Sequence, residues 1–408
     1  MKKVYLQTFG CQMNEADSQE MMLALAAKGC MQTDSLEAAD IVLINTCTIR
    51  EHAEHKALSY LGRLAKWKAA KENRKIIFTG CAAQRLGAAV KKKFPHTDIV
   101  NGAKNIDNFA GVIESQNLFE TEEDTAVPIK NKNPIALVNI MRGCSCKCSY
   151  CIVPYVRGEA YSLDPKNILA QVKNALEAGA KEIVLLGQTV NAYNYKGLSF
   201  SKLLREICAF DKLERLRYLS PHPMFINEEF LQTLKDCPKI ARHIHLPIQS
   251  GSTRILADMK RNYTREELLA KLKALKEVGL EISTDIIVGY PKETEQDFEE
   301  TLTLCKEVQF NAAYCFKFSP RKGTPAALMG ELDQKTVEKR LDILLNEIKH
   351  SSKAAYARQK GTKQQVLMET PINGRTSTNF WVRTKEKYPV GTVAELQIKG
   401  SKDTILLA

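Results

Sequence analysis

Twelve cysteines stand in a chain of 408 residues, and six of them recur at spacings that suit chemistry. The stretch Met141-Arg142-Gly143-Cys144-Ser145-Cys146-Lys147-Cys148-Ser149-Tyr150-Cys151 holds Cys144, Cys148 and Cys151 in the pattern C-x3-C-x2-C. A structural zinc site takes four ligands, usually as two separated pairs, and the chain has no second C-x2-C. A redox or structural cysteine loop is the blander alternative, weakened by the loop's place directly after a strand. Three thiolates can hold three corners of a 4Fe-4S cube and leave its fourth iron open. An open iron is what reductive cleavage of S-adenosylmethionine requires, because the methionine amino and carboxylate groups must chelate it.

Cys11, Cys47 and Cys81 make a second set. Each follows a short apolar run: Val4-Tyr5-Leu6 leads to Phe9-Gly10-Cys11, Ile41-Val42-Leu43-Ile44 to Asn45-Thr46-Cys47, and Ile76-Ile77-Phe78 to Thr79-Gly80-Cys81. Such runs read as buried parallel strands followed by helices. The steps of 36 and 34 residues are about one strand–helix unit each. Open parallel sheets carry ligand sites at the carboxyl ends of their strands. One small α/β domain would therefore deliver three thiols to one rim, where they read as metal ligands.

The elements that must position these thiols divide the chain into three domains and a linker. Residues 1–116 form a Rossmann-like α/β domain. Residues 117–133 lack apolar periodicity and read as the linker. From 134 to 360 the strand–helix alternation resumes, with candidate strands at 136–140, 182–186, 216–219, 243–248, 281–288 and 312–318. One helix start is explicit: Ser162-Leu163-Asp164-Pro165 offers a cap and a first-turn proline, with Gly179 near the stop. Six repeats fall short of the eight of a closed barrel, so an open, partial (β/α)6 barrel is expected. Residues 361–408 carry short strand signals at 366–368, 380–382, 393–396 and 404–406, separated by Asn373-Gly374, Pro389 and Gly400. They suggest a small β-barrel. The fold class is α/β throughout, with that all-β appendage.

Composition narrows the partners. Hydrophobic residues make up 44% and charged residues 26%, which excludes collagen-like, mucin-like and wholly disordered chains. No apolar run reaches the roughly 18 residues of a membrane helix, and no apolar stretch follows Lys2-Lys3 as in a signal peptide. A cytoplasmic protein without a membrane partner is expected, and its cysteines are poor disulfide candidates. The net charge of +12 makes a polyanion a candidate partner.

The three-cysteine loop, with Tyr150 before its last thiol, resembles the radical S-adenosylmethionine superfamily. Gly10-Cys11-Gln12-Met13-Asn14-Glu15-Ala16-Asp17-Ser18, Asn45-Thr46-Cys47-Thr48-Ile49-Arg50-Glu51 and Thr79-Gly80-Cys81 are similar to its methylthiotransferase family. So are Tyr150-Cys151-Ile152-Val153-Pro154-Tyr155-Val156-Arg157-Gly158-Glu159, Gly187-Gln188-Thr189-Val190-Asn191-Ala192-Tyr193 and His245-Leu246-Pro247-Ile248-Gln249-Ser250-Gly251-Ser252. The resemblance covers essentially the whole chain. Its first two motifs are most similar to the branch that acts on isopentenylated adenosine in tRNA. Cys146 is a departure, since the family has no thiol there; using it for Cys144 would collapse the first spacing to C-x-C, so it reads as a neighbour.

The resemblance implies a tRNA methylthiotransferase that adds a methylthio group to carbon 2 of N(6)-isopentenyladenosine beside the anticodon. Threonylcarbamoyl-adenosine is the alternative substrate. An iron–sulfur protein that binds RNA without turnover is the reading from another class. The target C–H has no acidity that a side-chain base could use, so the cofactor must supply a radical. One S-adenosylmethionine at the Cys144/Cys148/Cys151 cluster would give that radical. A second would methylate sulfur carried on an auxiliary 4Fe-4S cluster at Cys11, Cys47 and Cys81. Tyr150, Gln188 and Gly289 are candidate contacts to S-adenosylmethionine, with barrel-interior hydrogen bonding or close backbone packing as the competing explanation. The partners implied are a tRNA anticodon stem-loop, a reductase or flavodoxin-type electron donor and a sulfur donor, with the enzyme a monomer.

Other features have plainer readings. Cys30, Cys208, Cys237, Cys305 and Cys315 lie in apolar settings and suit packing. His243 and His245 alternate on one strand and suit an interior hydrogen-bonding pair better than a metal. Arg63, Lys66, Lys68, Lys71, Arg74 and Lys75 form a basic run, as do Lys91-Lys92-Lys93; phosphate contact and a solvated helix face are equal alternatives. The terminal module resembles the TRAM domain. Phe380, Trp381 and Tyr388 could stack on unpaired bases or fill its core.

Overall fold

The structure, a computed structural model, describes residues 1–115 and 133–408. The expected linker lies outside the described residues apart from its last position. The described chain divides into two compact units. The first takes the described part of Met1–Lys130 together with Arg142–Ser145 and Ile152–Ala160; the second takes the rest, the terminal module included.

In the first unit, five parallel strands run in the order β2-β1-β3-β4-β5: β1 (Lys3–Phe9), β2 (Met31–Gln32), β3 (Ile41–Thr46), β4 (Lys75–Gly80) and β5 (Ile99–Gly102). Alternate residues face opposite sides of such a sheet, so a strand buried on both faces is apolar at every position. Strand β3 shows this directly. Ile41 and Leu43 pack with Met21, Leu25 and Phe109, while Val42 and Ile44 pack with Leu61, Leu64 and Phe78. The covering helices include α1 (Gln12–Ala26) and α2 (Glu51–Ala69), and a short helix α3 (Cys81–Leu86) follows β4. Strand β5 escapes sequence reading because it has four residues, two of them Asn101 and Gly102.

The second unit holds six parallel strands, β6 (Ile135–Asn139), β7 (Glu182–Leu186), β8 (Arg215–Tyr218), β9 (His243–His245), β10 (Glu281–Val288) and β11 (Ala312–Lys317). They hydrogen-bond as two triplets, β6-β7-β8 and β9-β10-β11. A parallel bridge from Leu216 to Ile240 leads from the first triplet to the chain entering the second. This is the expected partial barrel. Strand β9 is shorter than expected because Pro247 has no N–H to offer the ladder; pairing resumes only as one bridge from Gln249 to Ile286. Asp164 caps the helix Pro165–Glu177 by accepting from the Lys166 N–H at 2.8 Å, as the sequence anticipates.

Polar groups line part of the barrel. Glu182 accepts from Arg215 Nε at 2.5 Å and Arg217 Nε at 2.9 Å, all three side chains being buried. Burial alone would raise its pKa, but the two guanidiniums win and hold it below the ordinary carboxylate value. Removing one member leaves an uncompensated buried charge. Glu182→Gln is therefore expected to cost about 3–5 kcal/mol, read as a lowered denaturant midpoint; a loss below about 1 kcal/mol would show that the pair contributes little net stability.

His243 Nε2 and His245 Nδ1 each lie 2.9 Å from Ser283 Oγ, the interior pair expected. Burial pushes His243 well below its ordinary value and His222 down to about 2, with Arg261 and Lys271 adding to the effect at His222. A depressed folded pKa means the unfolded chain binds more protons once pH drops below about 6.5. Stability should fall with pH from there, by about 1.4 kcal/mol per unit for each such histidine. His222→Gln should flatten the slope between pH 6.5 and 5; an unchanged slope would exclude His222 as a contributor.

The terminal module is a six-stranded sheet in the order β15-β12-β13-β14-β17-β16: β12 (Lys363–Met368), β13 (Asn373–Thr376), β14 (Trp381–Arg383), β15 (Val393–Gln397), β16 (Gly400–Lys402) and β17 (Ile405–Leu407). Its core continues into the preceding helix Gln334–Ala357, where the Tyr356 ring meets Phe380 at 4.7 Å and 83°. Asn373-Gly374 lies within a strand, not between strands. A Cβ on Gly374 would sit 2.6 Å from Val366 Cγ1, so the glycine allows close cross-strand packing.

Candidate metal and cofactor sites

Register gathers the N-terminal thiols. Phe9 pairs with Thr46 and Thr46 with Gly80, so three strands end level. Cys47 and Cys81 follow by one residue and Cys11 by two. Gly80 stands at φ +94, where a Cβ would press on Asn45 Oδ1 and lie 2.6 Å from the Thr46 carbonyl oxygen. Only glycine fits there, and it turns the chain so that Cys81 opens α3.

Beneath the rim lies a polar floor from residues that sequence reading quoted without giving them a role. Asn14 Nδ2 donates to Asn45 Oδ1 at 3.1 Å, and Asn45 Nδ2 donates to the Asn14 carbonyl at 2.8 Å and to Ser18 Oγ at 3.0 Å. The thiols are themselves hydrogen-bonded. The Ile49 N–H donates to Cys47 Sγ at 3.3 Å and Arg157 Nε to Cys81 Sγ at 3.2 Å. Contact with Cys47 lowers the Cys11 pKa to about 6, while the Cys11 interaction raises Cys47 and burial raises Cys81.

Arg157 and Arg142 converge on Asp17, which is fully buried. Arg157 Nη2 reaches Asp17 Oδ2 at 2.8 Å and Arg142 Nη1 reaches Oδ1 at 2.6 Å. Arg142 also pairs with Glu20, and with Asp107 at 2.5 Å. Both arginines come from segments flanking the C-x3-C-x2-C loop, which explains why those segments belong to the first unit.

The loop itself is described in its two parts. In the first unit the Cys144 N–H donates to the Gly158 carbonyl at 3.0 Å. Gly143 has φ +72, and a Cβ there would run into the Glu159 carbonyl. In the second unit the Cys151 N–H turns back to the Cys148 carbonyl at 3.1 Å. Ser149 anchors this turn, donating to the Asp258 carbonyl at 2.7 Å and lying 2.8 Å from Tyr290 Oη. The buried Arg261 donates from Nη1 toward Cys148 Sγ at 3.7 Å and Tyr150 Oη at 3.5 Å, and from Nη2 to the Pro247 carbonyl at 2.6 Å. Burial raises the Tyr150 pKa well above its ordinary value, so its hydroxyl stays protonated. Arg261, too, is not legible from sequence; it follows the helix Thr253–Asp258, outside any of the motifs.

Gln188 follows β7, and its Oε1 is buried without a hydrogen-bond partner among the described residues. Such an acceptor suits the ammonium or ribose hydroxyls of S-adenosylmethionine. Gly289 has φ +73 and a neighbour of its own: a Cβ there would lie 2.5 Å from Val337 Cγ2. Packing against Val337 by itself requires a glycine here, whatever its backbone also approaches. Cys146 Sγ lies 4.0 Å from Thr189 Oγ1. Cys30 and Cys305 are buried in core, where loss of solvation raises both thiols, Cys30 to about 11.

No group of three His, Cys, Asp or Glu side chains among the described residues converges on a single-ion position. The N-terminal rim offers soft sulfur donors with hydrogen-bond donors around them, the set that suits an iron–sulfur cluster rather than a hard cation. The residues fit the group.

The basic run near α2 is mostly consumed by the fold. Lys68 pairs with Asp98, Lys71 with Asp40 at 2.8 Å and Lys75 with Asp98 at 3.6 Å. Arg74 is buried, its guanidinium 4.5 Å from the Trp67 ring. Arg63, Lys66 and Lys91–Lys93 remain exposed. In the terminal module Phe380 is 1% exposed and belongs to the core, which removes it as a base-stacking platform. Trp381 is 36% exposed with Arg375 stacked 4.1 Å from its ring.

A six-strand partial barrel with a C-x3-C-x2-C loop after its first strand defines a radical S-adenosylmethionine enzyme, and the radical SAM superfamily model matches residues 138–305. The uncharacterized protein family UPF0004 matches residues 3–102. The chain is 39% identical to a tRNA-2-methylthio-N(6)-dimethylallyladenosine synthase of Clostridium botulinum over 97% of its length and 94% of that protein's. A protein of the same name from Thermodesulfovibrio yellowstonii is 38% identical over 97% and 96%. The chain belongs to this family of tRNA methylthiotransferases. Among solved structures, the radical S-adenosylmethionine methyltransferase TsrM of Kitasatospora setae matches with a TM-score of 0.61 at 13% identity, covering 80% of this chain and 77% of that one. The cobalamin-dependent radical enzyme OxsB matches at 0.55 and 12%, over 85% and 56%. These two share the fold. No helix among the described residues is long and apolar enough to cross a membrane.

Proposed function

We propose that the protein attaches a methylthio group to carbon 2 of N(6)-isopentenyladenosine beside the anticodon of tRNA, consuming two molecules of S-adenosylmethionine per product. The observation that carries the reading is the level register of β1, β3 and β4, which gives a radical enzyme a second thiol site for a sulfur atom. In this reading residues 1–116 are the sulfur-carrying domain, 134–360 the radical domain and 361–408 a TRAM-like RNA-binding domain. Cys144, Cys148 and Cys151 hold one 4Fe-4S cluster and Cys11, Cys47 and Cys81 the other. When bound, these clusters supply the electron that cleaves S-adenosylmethionine and the sulfur that is methylated and transferred.

The chain's own residues do the positioning. Arg261 ties Cys148 and Tyr150 to the Pro247 carbonyl, and Gln188 presents its free carbonyl oxygen to the nucleoside or amino-acid part of S-adenosylmethionine. Tyr150 and Gly289 contribute backbone there. A cytoplasmic monomer, drawing electrons from a flavodoxin-type donor or reductase and sulfur from a separate donor, completes the reading.

Anaerobic reconstitution with iron, sulfide, reductant and S-adenosylmethionine, followed by mass analysis of tRNA nucleosides, tests it. The methylthio product is expected on isopentenylated tRNA. Product on threonylcarbamoyl-adenosine instead would overturn the substrate assignment, and iron binding without turnover would overturn the enzymatic one.

RNA binding by the terminal module has its own test. Deletion would strip Tyr356 of its cover, so point changes are cleaner. Trp381→Ala should weaken tRNA binding by about 1–3 kcal/mol if a base stacks there. Lys385 and Lys387 are exposed just beyond β14, and changing both to alanine should reduce the slope of log affinity against log salt by about 0.7 per lost phosphate contact. Unchanged affinity and slope would place the tRNA elsewhere.

A further inference from the structure

Arg157 is more than a strut for the fold. Its side chain is buried, and it has two partners, Asp17 Oδ2 at 2.8 Å and Cys81 Sγ at 3.2 Å. Arg142 takes the other oxygen of the same carboxylate at 2.6 Å and has Glu20 and Asp107 besides. One carboxylate thus divides its charge between two guanidiniums, and Arg157 is the one left short. Its Nη1 is buried with no hydrogen-bond partner among the described residues. A desolvated cation with an idle donor is costly unless negative charge lies beside it. A neutral Cys81 thiol supplies none; a sulfur ligand carrying metal-cluster charge does.

We propose that Arg157 is a positioning residue that sets the electron affinity of the N-terminal cluster, holding Cys81 Sγ by its Nε–H and favouring the more negative, reduced state by its charge. The proposal rests on Cys11, Cys47 and Cys81 being cluster ligands. Cluster potentials follow net charge and hydrogen bonds to sulfur, and Arg157 supplies both. Asp17, held by Nη2 of the same guanidinium, opposes it with its negative charge.

The test is a redox titration of full-length reconstituted protein followed by electron paramagnetic resonance, with iron counted on each sample. Arg157→Met should make reduction of one cluster at least tenfold less favourable, about 59 mV for a one-electron couple, and leave the other wave in place. Arg157→Lys should restore most of the shift, because the charge remains. Asp17→Asn should move the same wave in the opposite direction, which a merely structural role would not do. Full iron with both waves unmoved in Arg157→Met overturns the proposal. If that variant loses iron, the decision passes to Asp17→Asn, and an unmoved wave there overturns it. Wild-type protein with about four irons, unaffected by Cys81→Ala, would instead sink the ligand assignment beneath it.

Discussion

Replacing Cys144, Cys148 and Cys151 together with alanine is expected to bring 5′-deoxyadenosine formation to background and to halve the iron, from about eight to about four per chain. On the proposed ligand set, three thiolates would leave one iron of the cube open, and S-adenosylmethionine would reach its reductant only by occupying it. Among the described residues the remaining thiols and imidazoles are poor substitutes: Cys146 collapses the first spacing to C-x-C, His243 and His245 are spent on Ser283, and Cys208, Cys237, Cys305 and Cys315 belong to other elements. The backbone of the loop should survive, because its shape is set by Gly143 against Glu159, Ser149 against Asp258 and Arg261 against Pro247. Circular dichroism and the denaturant midpoint should therefore change little while cleavage vanishes. The four remaining irons should still accept sulfur, and S-adenosylhomocysteine from methylation of that sulfur should persist. Full iron retention would overturn the ligand assignment. Stoichiometric zinc in the native protein would overturn it more completely.

What the sequence reveals and what it hides follows from the range of each interaction. The cysteine rim is legible because each thiol follows a contiguous apolar run, and a parallel sheet buried on both faces makes such runs. The level ending of those strands is not legible; it comes from hydrogen-bond register between residues more than 30 positions apart. Arg157 and Asp17 stand in motifs visible at once, yet their pairing spans 140 positions, and no periodicity reports it. The same limit misjudges the basic run on α2, whose partners Asp40 and Asp98 come from other strands' ends. In the terminal module Asn373-Gly374 has the chemistry of a turn. There the turn falls earlier, where the Glu369 and Thr370 N–H groups both reach the Asn373 carbonyl at 3.0 Å. Phe380 and Trp381 are equivalent by composition. Strand alternation sends one inward and one outward, and only the packing partner, Tyr356, says which.

Replacing Cys11, Cys47 and Cys81 with alanine should give the complementary phenotype: methylthio product at background, 5′-deoxyadenosine formation retained and again about half the iron. The sheet should tolerate the change. Its core faces rest on β3 and β4 and their helices, and the rim's polar floor of Asn14, Asn45 and Ser18 keeps its mutual hydrogen bonds, losing only the Cys11 Sγ contact to Asn14 Oδ1. Buried Arg157 would lose its sulfur partner but keep Asp17, so a modest loss of stability, about 1–2 kcal/mol, is expected from the unpaired donor. Reductive cleavage belongs to a different set of thiols and should continue when a chemical reductant is supplied. The substrate would then meet a radical with no sulfur to receive, and cleavage should be uncoupled from any change in the tRNA. Retention of cleavage is the informative part, because a merely misfolded protein would lose both activities together. If the variant still produced methylthiolated adenosine, sulfur would have to come from elsewhere in the chain or from solution, and the division of labour between the two cysteine sets would be wrong whatever its iron content.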